Sequence, residues 1–287
     1  MKTECLRAAG IWVDSDRVSS LKEFGIILYS GEITGMLGLV GSGITVVADA
    51  LSGRKKLEKG QIYMDHTPVQ IRGMAQAEKM GIYVISEKTI FLDDLRLEEN
   101  LCLSQRQESM GITFPSEKQI SRIRRCMEEL KIQLKLKEYP KKLGSLECHL
   151  AEILRAYLMG CRILILNHIA NRYTRKELEK LKDVLDLLKE KGIAILLLES
   201  SCERVCKGTD SLYVLRGGRV EGIFERKEYD PGKIKRVMLG DYEIPDTQKT
   251  QFFYENDKTL LLEARGLEST AFKELCFQVE KGEVIGF

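Results

Sequence analysis

The chain reads as an α/β protein with a mainly parallel core sheet, and three observations predict this. Apolar strand signals alternate with helical ones along most of the 287 residues. RILILN (162–167) and AILLLES (194–200) are nearly unbroken apolar runs, of the kind a parallel sheet buries on both faces. Between a buried strand and a helix stands Gly41-Ser42-Gly43. The free N–H groups and dipole of a helix start after such a loop favour an anion.

In order, LRAAGIWV (6–13) and FGIILY (24–29) read as strands joined by a polar turn. SGEITGMLGLV (30–40) gives a turn and a buried strand. TVVADALSG (45–53) gives a helix ending at Gly53. QIYMD (61–65) is a short strand and MAQAEKM (74–80) a short helix before the strand GIYVIS (81–86). Ile120, Ile123, Met127 and Leu130 predict a helix from Ser116 to about Lys137. A second amphipathic helix is expected over 146–160. A charged one over 174–191 carries Leu178, Leu181, Val184, Leu185 and Leu188 on its inner face. LYVLRGGRVEG (212–222) predicts a hairpin turning at Gly217–Gly218.

Composition narrows the function. Hydrophobic residues make up 44%, enough for a sizeable core. Basic and acidic groups number 45 and 43, a net charge of +2, which gives no reason to expect a nucleic-acid or membrane-surface binder. The eight cysteines are scattered. Cys202 and Cys206 lie one helical turn apart without a CxxC pair or matching histidines, so buried reduced thiols, suited to the cytosol, are expected. No signal peptide and no apolar run of about 20 residues is read.

Residues 21–36 (LKEFGIILYSGEITGM) recur as 272–287 (FKELCFQVEKGEVIGF), with Gly31-Glu32 and Gly282-Glu283 at one offset. The expectation is a first domain over 1–240, a polar linker over 241–258, and the opening strands of an incomplete second copy over 259–287.

Gly38 to Thr45 fits the phosphate-loop pattern GxxxxGK[ST] at every fixed position except the lysine. With the order of elements from about 6 to 240, several segments carry a wider resemblance: SGEITGMLGLVGSG, GIYVISEK followed by LEENL, GSL…EILRA (144–156), RILILN, GIAILLLESSCERV, DSLYVLRGGRV and VMLGD (237–241). Together they resemble the tandem-cassette ATP-binding subunits of bacterial carbohydrate-uptake ABC importers. The resemblance implies a P-loop NTPase-like ABC nucleotide-binding domain with an antiparallel β subdomain and a helical subdomain.

Carried over residue by residue, the resemblance implies a damaged site. Gly38, Gly41, Ser42, Gly43 and Thr45 keep the loop and a hydroxyl for magnesium, but the lysine position holds Ile44. The adenine-stacking aromatic falls near Ser15, with Trp12 as the nearby substitute. The magnesium-sensing glutamine is Glu87, the magnesium aspartate Asn167, the catalytic glutamate His168 and the switch histidine Ser200. The signature LSGGQ should lie between Leu146 and Glu152, where ECHLA stands.

Phosphoryl transfer relies on positioning and on neutralising the γ-phosphate. The missing ammonium contact is worth up to about 4 kcal/mol at a surface-like dielectric, and Ile44 is expected to put an alkyl group beside the anion. His168 allows one metal-site alternative, with Cys161 or His149. The plainer reading is a histidine at a strand end. Glu152 and Arg155 are expected on a solvated helix face.

The reading is therefore a pseudo-ATPase cassette with a binding or regulatory role. Its cofactor is ATP, held weakly or not at all, with magnesium on Thr45 at most. The partner is a sugar permease subunit, a sensor or another cassette. The location is cytoplasmic, or peripheral at the inner face of the membrane through that partner. The alternative is a working ATPase subunit of a carbohydrate importer, with a truncated product as a third reading.

Overall fold

Alternation of apolar and polar positions builds the first strands. In the computed structural model, β1 (Glu4–Val13) and β2 (Leu21–Tyr29) pair antiparallel, and Leu6, Ala8, Ile11, Val13, Phe24, Ile26 and Leu28 are buried. β3 (Ile33–Gly38), buried at every residue, runs through the glycine loop into α1 (Ile44–Leu51). β4 (Lys59–Met64) and β5 (Thr67–Val69) follow and complete an antiparallel sheet of order β2-β1-β4-β5. The structure describes residues 2–14, 20–103, 115–201, 208–240, 259–268, 274–283 and 285. They divide into two compact units, Met1–Asp241 and Tyr242–Phe287.

After α2 (Met74–Lys79) and β6 (Ile82–Ser86), a helical layer forms from α3 (Leu97–Leu103), α4 (Glu117–Glu129) and α5 (Ser145–Leu158). The chain then alternates β7 (Ile163–Asn167), α6 (Arg175–Glu190), β8 (Ala194–Glu199), β9 (Ser211–Arg216), β10 (Arg219–Glu225) and α7 (Pro231–Leu239). The central sheet has the order β10-β9-β3-β8-β7-β6. Its members are parallel except β10, which returns from β9 through the Gly217–Gly218 turn. One apolar cluster lies between this sheet and the antiparallel one, with α1 inside it. A second joins the sheet to α3–α6.

The helix expected to reach about Lys137 ends at Glu129. Its start is firm, because the Ser116 hydroxyl accepts from the Gln119 N–H at 3.3 Å and the Gln119 side chain accepts from the Ser116 N–H at 3.0 Å. Its end is set by Lys131, which adopts φ 52°, while Ile132 N–H turns back to Met127 O at 2.9 Å. Beyond it Ile132, Leu134 and Leu136 alternate, and the segment bonds along α3 through Glu98 N–H to Leu136 O at 2.9 Å. A period of two was hidden behind a period of 3.6.

The second unit is a hairpin of β11 (Leu260–Leu267) and β12 (Leu275–Glu280). Its backbone repeats that of β1 and β2. Glu23 and Glu274 both have φ 52°. Gly10 and Gly266 have φ 60° and 59°, and Gly31 and Gly282 have φ 69° and 80°. Ser30 N–H bonds to Thr3 O at 2.9 Å, and Lys281 N–H to Thr259 O at 2.9 Å. Among the described residues no helix is long and apolar enough to cross a membrane.

Among the described residues, the buried side chains of the apolar clusters run from Cys5 to Met238. Deleting residues 250–287 is therefore expected to leave the melting temperature of the first unit within a few degrees, measured by circular dichroism. Global unfolding on deletion would place the hairpin in that unit's core.

Candidate functional site

Because β3, β8, β7 and β6 lie side by side and parallel, their C-terminal ends share one edge of the sheet, the edge where α/β sheets bind ligands. The edge carries the glycine loop after Gly38, Glu199 closing β8 with Ser200 next, Asn167 closing β7 with His168 next, and Ser86 closing β6 with Glu87 next. The topology thus gathers Ile44, Thr45, Glu87, Asn167, His168 and Ser200 at one end of the sheet.

The loop is tightly built. Gly43, the residue before α1, has φ 94°, and a Cβ there would stand 2.5 Å from Ser20 O. Ser42 is buried, its N–H bonds to Leu39 O at 2.9 Å, and its hydroxyl accepts from Ile44 N–H at 3.3 Å. Thr45 is exposed in the first helical turn. Ile44 corrects an expectation: it is 3% exposed and packs in the core with Val46, Val47 and Met36. Its alkyl group is withdrawn from the loop instead of facing an anion. It therefore adds no apolar obstruction to the loop.

At the end of β7, the Asn167 Oδ1 is buried with no hydrogen-bond partner among the described residues. His168 holds a left-handed conformation at φ 55°. Its Nδ1 lies 4.0 Å from a carboxylate oxygen of Glu199, which is buried at the end of β8 and accepts from Ala170 N–H at 3.2 Å. Burial pulls the His168 imidazole below its ordinary range, opposed by the charge of Glu87. Glu87 and Ser200 are exposed. Of the oxygens at this edge, the Thr45 hydroxyl and the Asn167 amide are neutral, while Glu87 and Glu199 bring carboxylates, the donors a hard divalent cation favours.

His149, at the signature position, faces inward. It is 1% exposed. Its Nδ1 pairs with the Tyr173 hydroxyl, and Nε2 lies 3.1 Å from Ser86 O and 3.3 Å from Glu87 O. Burial holds the imidazole below its usual range, so it is neutral near pH 7, with Nε2–H donating to the carbonyls. His149 and Cys161 belong to no metal-holding group among the described residues.

Glu152 and Arg155, expected on a solvated face, are 3% and 8% exposed. α5 lies between the sheet and the other helices, so most of its circumference is covered. Glu152 accepts from Ile90 N–H at 2.7 Å, and burial pushes its carboxyl up to about 7. Arg155 lies 3.6 Å from Glu78 and over the Tyr83 ring.

Trp12 is half-buried, with Lys59 Nζ 5.4 Å from its ring centre. Ser15, Cys202 and Cys206 lie outside the described residues. Sequence reading missed Glu199 and Tyr173. The signal for Glu199 was the one charged residue closing the apolar run AILLLES. For Tyr173 there was none, because its partner is 24 residues away.

The family described as "ABC transporter" matches residues 21–170. Ribose import ATP-binding protein RbsA of Clostridium perfringens (strain 13 / Type A) is 28% identical over 99% of this chain and 57% of that protein. The protein of that name from Jannaschia sp. (strain CCS1) is 26% identical over 98% of this chain and 54% of its own length. The chain thus spans little more than half of these curated relatives. The ADP conformation of MJ1267, an ATP-binding cassette of an ABC transporter, superimposes with a TM-score of 0.71 at 21% identity, covering 83% of this chain and 96% of that one. This likeness shows the fold.

Two stability measurements test the inward-facing groups. His149→Ala leaves the Ser86 and Glu87 carbonyls without their donor and is expected to cost about 1–3 kcal/mol in urea unfolding. The folded His149 pKa lies below the unfolded one. Its contribution is therefore full above about pH 6.5 and lost as pH falls below it, a dependence the variant should lack. Glu152 has the opposite sign. Its folded pKa, about 7, exceeds the unfolded value, so stability is lost as pH rises through 7. Glu152→Gln should be the more stable protein at alkaline pH, by about 1–3 kcal/mol, with the difference vanishing below about pH 4.5.

Proposed function

Because the chain belongs to the ABC transporter family, we propose that it is a degenerate ATP-binding cassette of the carbohydrate-importer type, which holds nucleotide weakly or not at all and does not hydrolyse it. Members of the family bind ATP with magnesium. The observation that supports the loss is the strand-end edge itself. Ile44, Asn167, His168 and Ser200 stand where the reaction calls for a cation, a metal carboxylate, a general base and a γ-phosphate contact. Neutralising phosphate charge is most of the catalysis, and no cationic side chain takes the position of Ile44.

What remains is a binding element. The tight loop and the exposed Thr45 hydroxyl are retained, so the cassette would act by docking on a sugar permease subunit, a sensor or another cassette, at the inner face of the membrane through that partner. Residues 259–287 are then the opening strands of a second cassette. The backbone conformations shared by Glu23 with Glu274 and Gly10 with Gly266 support that reading.

A second reading, a working ATPase, rests on one pair. The neutral His168 imidazole beside buried Glu199 is chemically able to accept a proton from an attacking water.

Phosphate release measured with magnesium-ATP is expected not to exceed the protein-free blank. Turnover lost in both His168→Ala and Thr45→Ala would select the second reading instead. Ile44→Lys is expected to tighten ATP binding about tenfold, equivalent to about 1.4 kcal/mol, while lowering the melting temperature by removing a buried core side chain. An unchanged dissociation constant in a folded variant would mean that the loop does not receive phosphate.

A further inference from the structure

A cavity of about 760 Å³ opens beyond the C-terminal end of α1, between the 53–57 turn, the β4–β5 hairpin and the segment 70–72. The loop discussed above lies before the other end of that helix, about 12 Å away at 1.5 Å per residue. Small-molecule sites commonly enclose roughly 300–1,000 Å³. Three of the lining residues are cations, Arg54, Lys56 and Arg72, and none is a carboxylate. The apolar lining is Leu57, Ile62, Pro68, Val69 and Ile71.

Most of the guanidinium N–H groups here meet uncharged acceptors. Arg54 spends one guanidinium nitrogen on Asp49 at 3.1 Å, but its Nε and Nη2 point at the Met74 thioether at 3.3 and 2.8 Å, a poor acceptor. Arg72 aims Nε and Nη2 together at the Gln70 amide oxygen, at 3.3 and 2.9 Å. That two-pronged geometry is the one a guanidinium offers a phosphate, and an ionised acceptor makes bonds about twice as strong as a neutral one. Lys56 has no hydrogen-bond or ion-pair partner among the described residues. With Arg54 balanced by Asp49, Lys56 and Arg72 meet no carboxylate among the described residues, beside an apolar wall.

We infer that this cavity is a binding site for a small organic phosphomonoester of sugar-phosphate size. The phosphate displaces the Met74 and Gln70 acceptors to take the Arg54 and Arg72 guanidinium groups together with Lys56. The organic body lies on Leu57, Pro68, Val69 and Ile71. The site is independent of the proposed cassette function, because no residue of the strand-end edge contributes to it.

Calorimetry on the full chain with glucose 6-phosphate, glucose, inorganic phosphate and ATP tests it. Saturable binding of the ester, weaker binding of inorganic phosphate and none of glucose are expected. Arg54→Gln combined with Arg72→Gln, and separately the exposed Lys56→Gln, should each weaken the ester by about tenfold or more. ATP affinity should stay unchanged in all of them. The second variant decides if the first does not fold. No saturable heat with either phosphate, equal affinity for ester and inorganic phosphate, or full affinity in the variants would overturn the inference. So would displacement of the ester by ATP in Lys56→Gln at wild-type strength, since that places the ester in the loop before α1.

Discussion

One carbonyl holds the architecture together. Ser20 O, at the entrance to β2, is approached by Gly43 at the head of α1 and by Gly218 in the β9–β10 turn so closely that a Cβ on either would stand 2.5 Å from it. Both glycines have positive φ, 94° and 84°. Around this point Gly218 N–H bonds to Ser42 O at 2.8 Å and Lys22 N–H to Gly218 O at 2.9 Å. The antiparallel sheet, the glycine loop and the far edge of the central sheet therefore meet backbone to backbone, with no side chain between them. A phosphate-binding loop needs this rigidity to present its N–H groups, but the packing of two sheets about α1 needs it equally.

Strand tips and strand interiors differ along the whole edge. Asn167, His168 and Ser200 are strand-end residues. The apolar strands behind them, such as Ile163 to Leu166, are buried on both faces. Replacing a tip residue alters charge at the edge without opening a cavity, so the fold has no means of resisting it. Ile44 goes one step further and belongs to the core, adding buried apolar area beside the loop.

Legibility in the sequence followed the same division. The parallel sheet, its loop and the β9–β10 hairpin were readable because each is written locally, in unbroken apolar runs or in glycine pairs. α4 was read too long because Ile132, Leu134 and Leu136 extend an apolar pattern whose period changes at Lys131. β5 and α3 were not separated from their surroundings, being short. Glu152 and Arg155 were misplaced for a different reason. Polar residues on a helix usually mark its wet face, and nothing local reveals that α5 is enclosed on nearly every side. The candidate residues at the strand tips were found through the resemblance to a family. Glu199 and Tyr173 belong to no position that the resemblance names.

The inward turn of α5 has a consequence for pairing. The resemblance implies that the start of this helix presents a serine and glycines to a nucleotide held by an opposite cassette. Here the polar groups of that turn and the next are committed to their own chain. His149 spends both ring nitrogens on Tyr173 and on the carbonyls of Ser86 and Glu87, and Glu152 accepts from Ile90. Helix and post-β6 segment are therefore tied at two points within residues 86–90. Releasing His149 to face outward would break its bonds to the Ser86 and Glu87 carbonyls and to the Tyr173 hydroxyl, a cost of several hydrogen bonds in a low-dielectric interior. The first turns of α5 are thus fixed by bonds within their own chain.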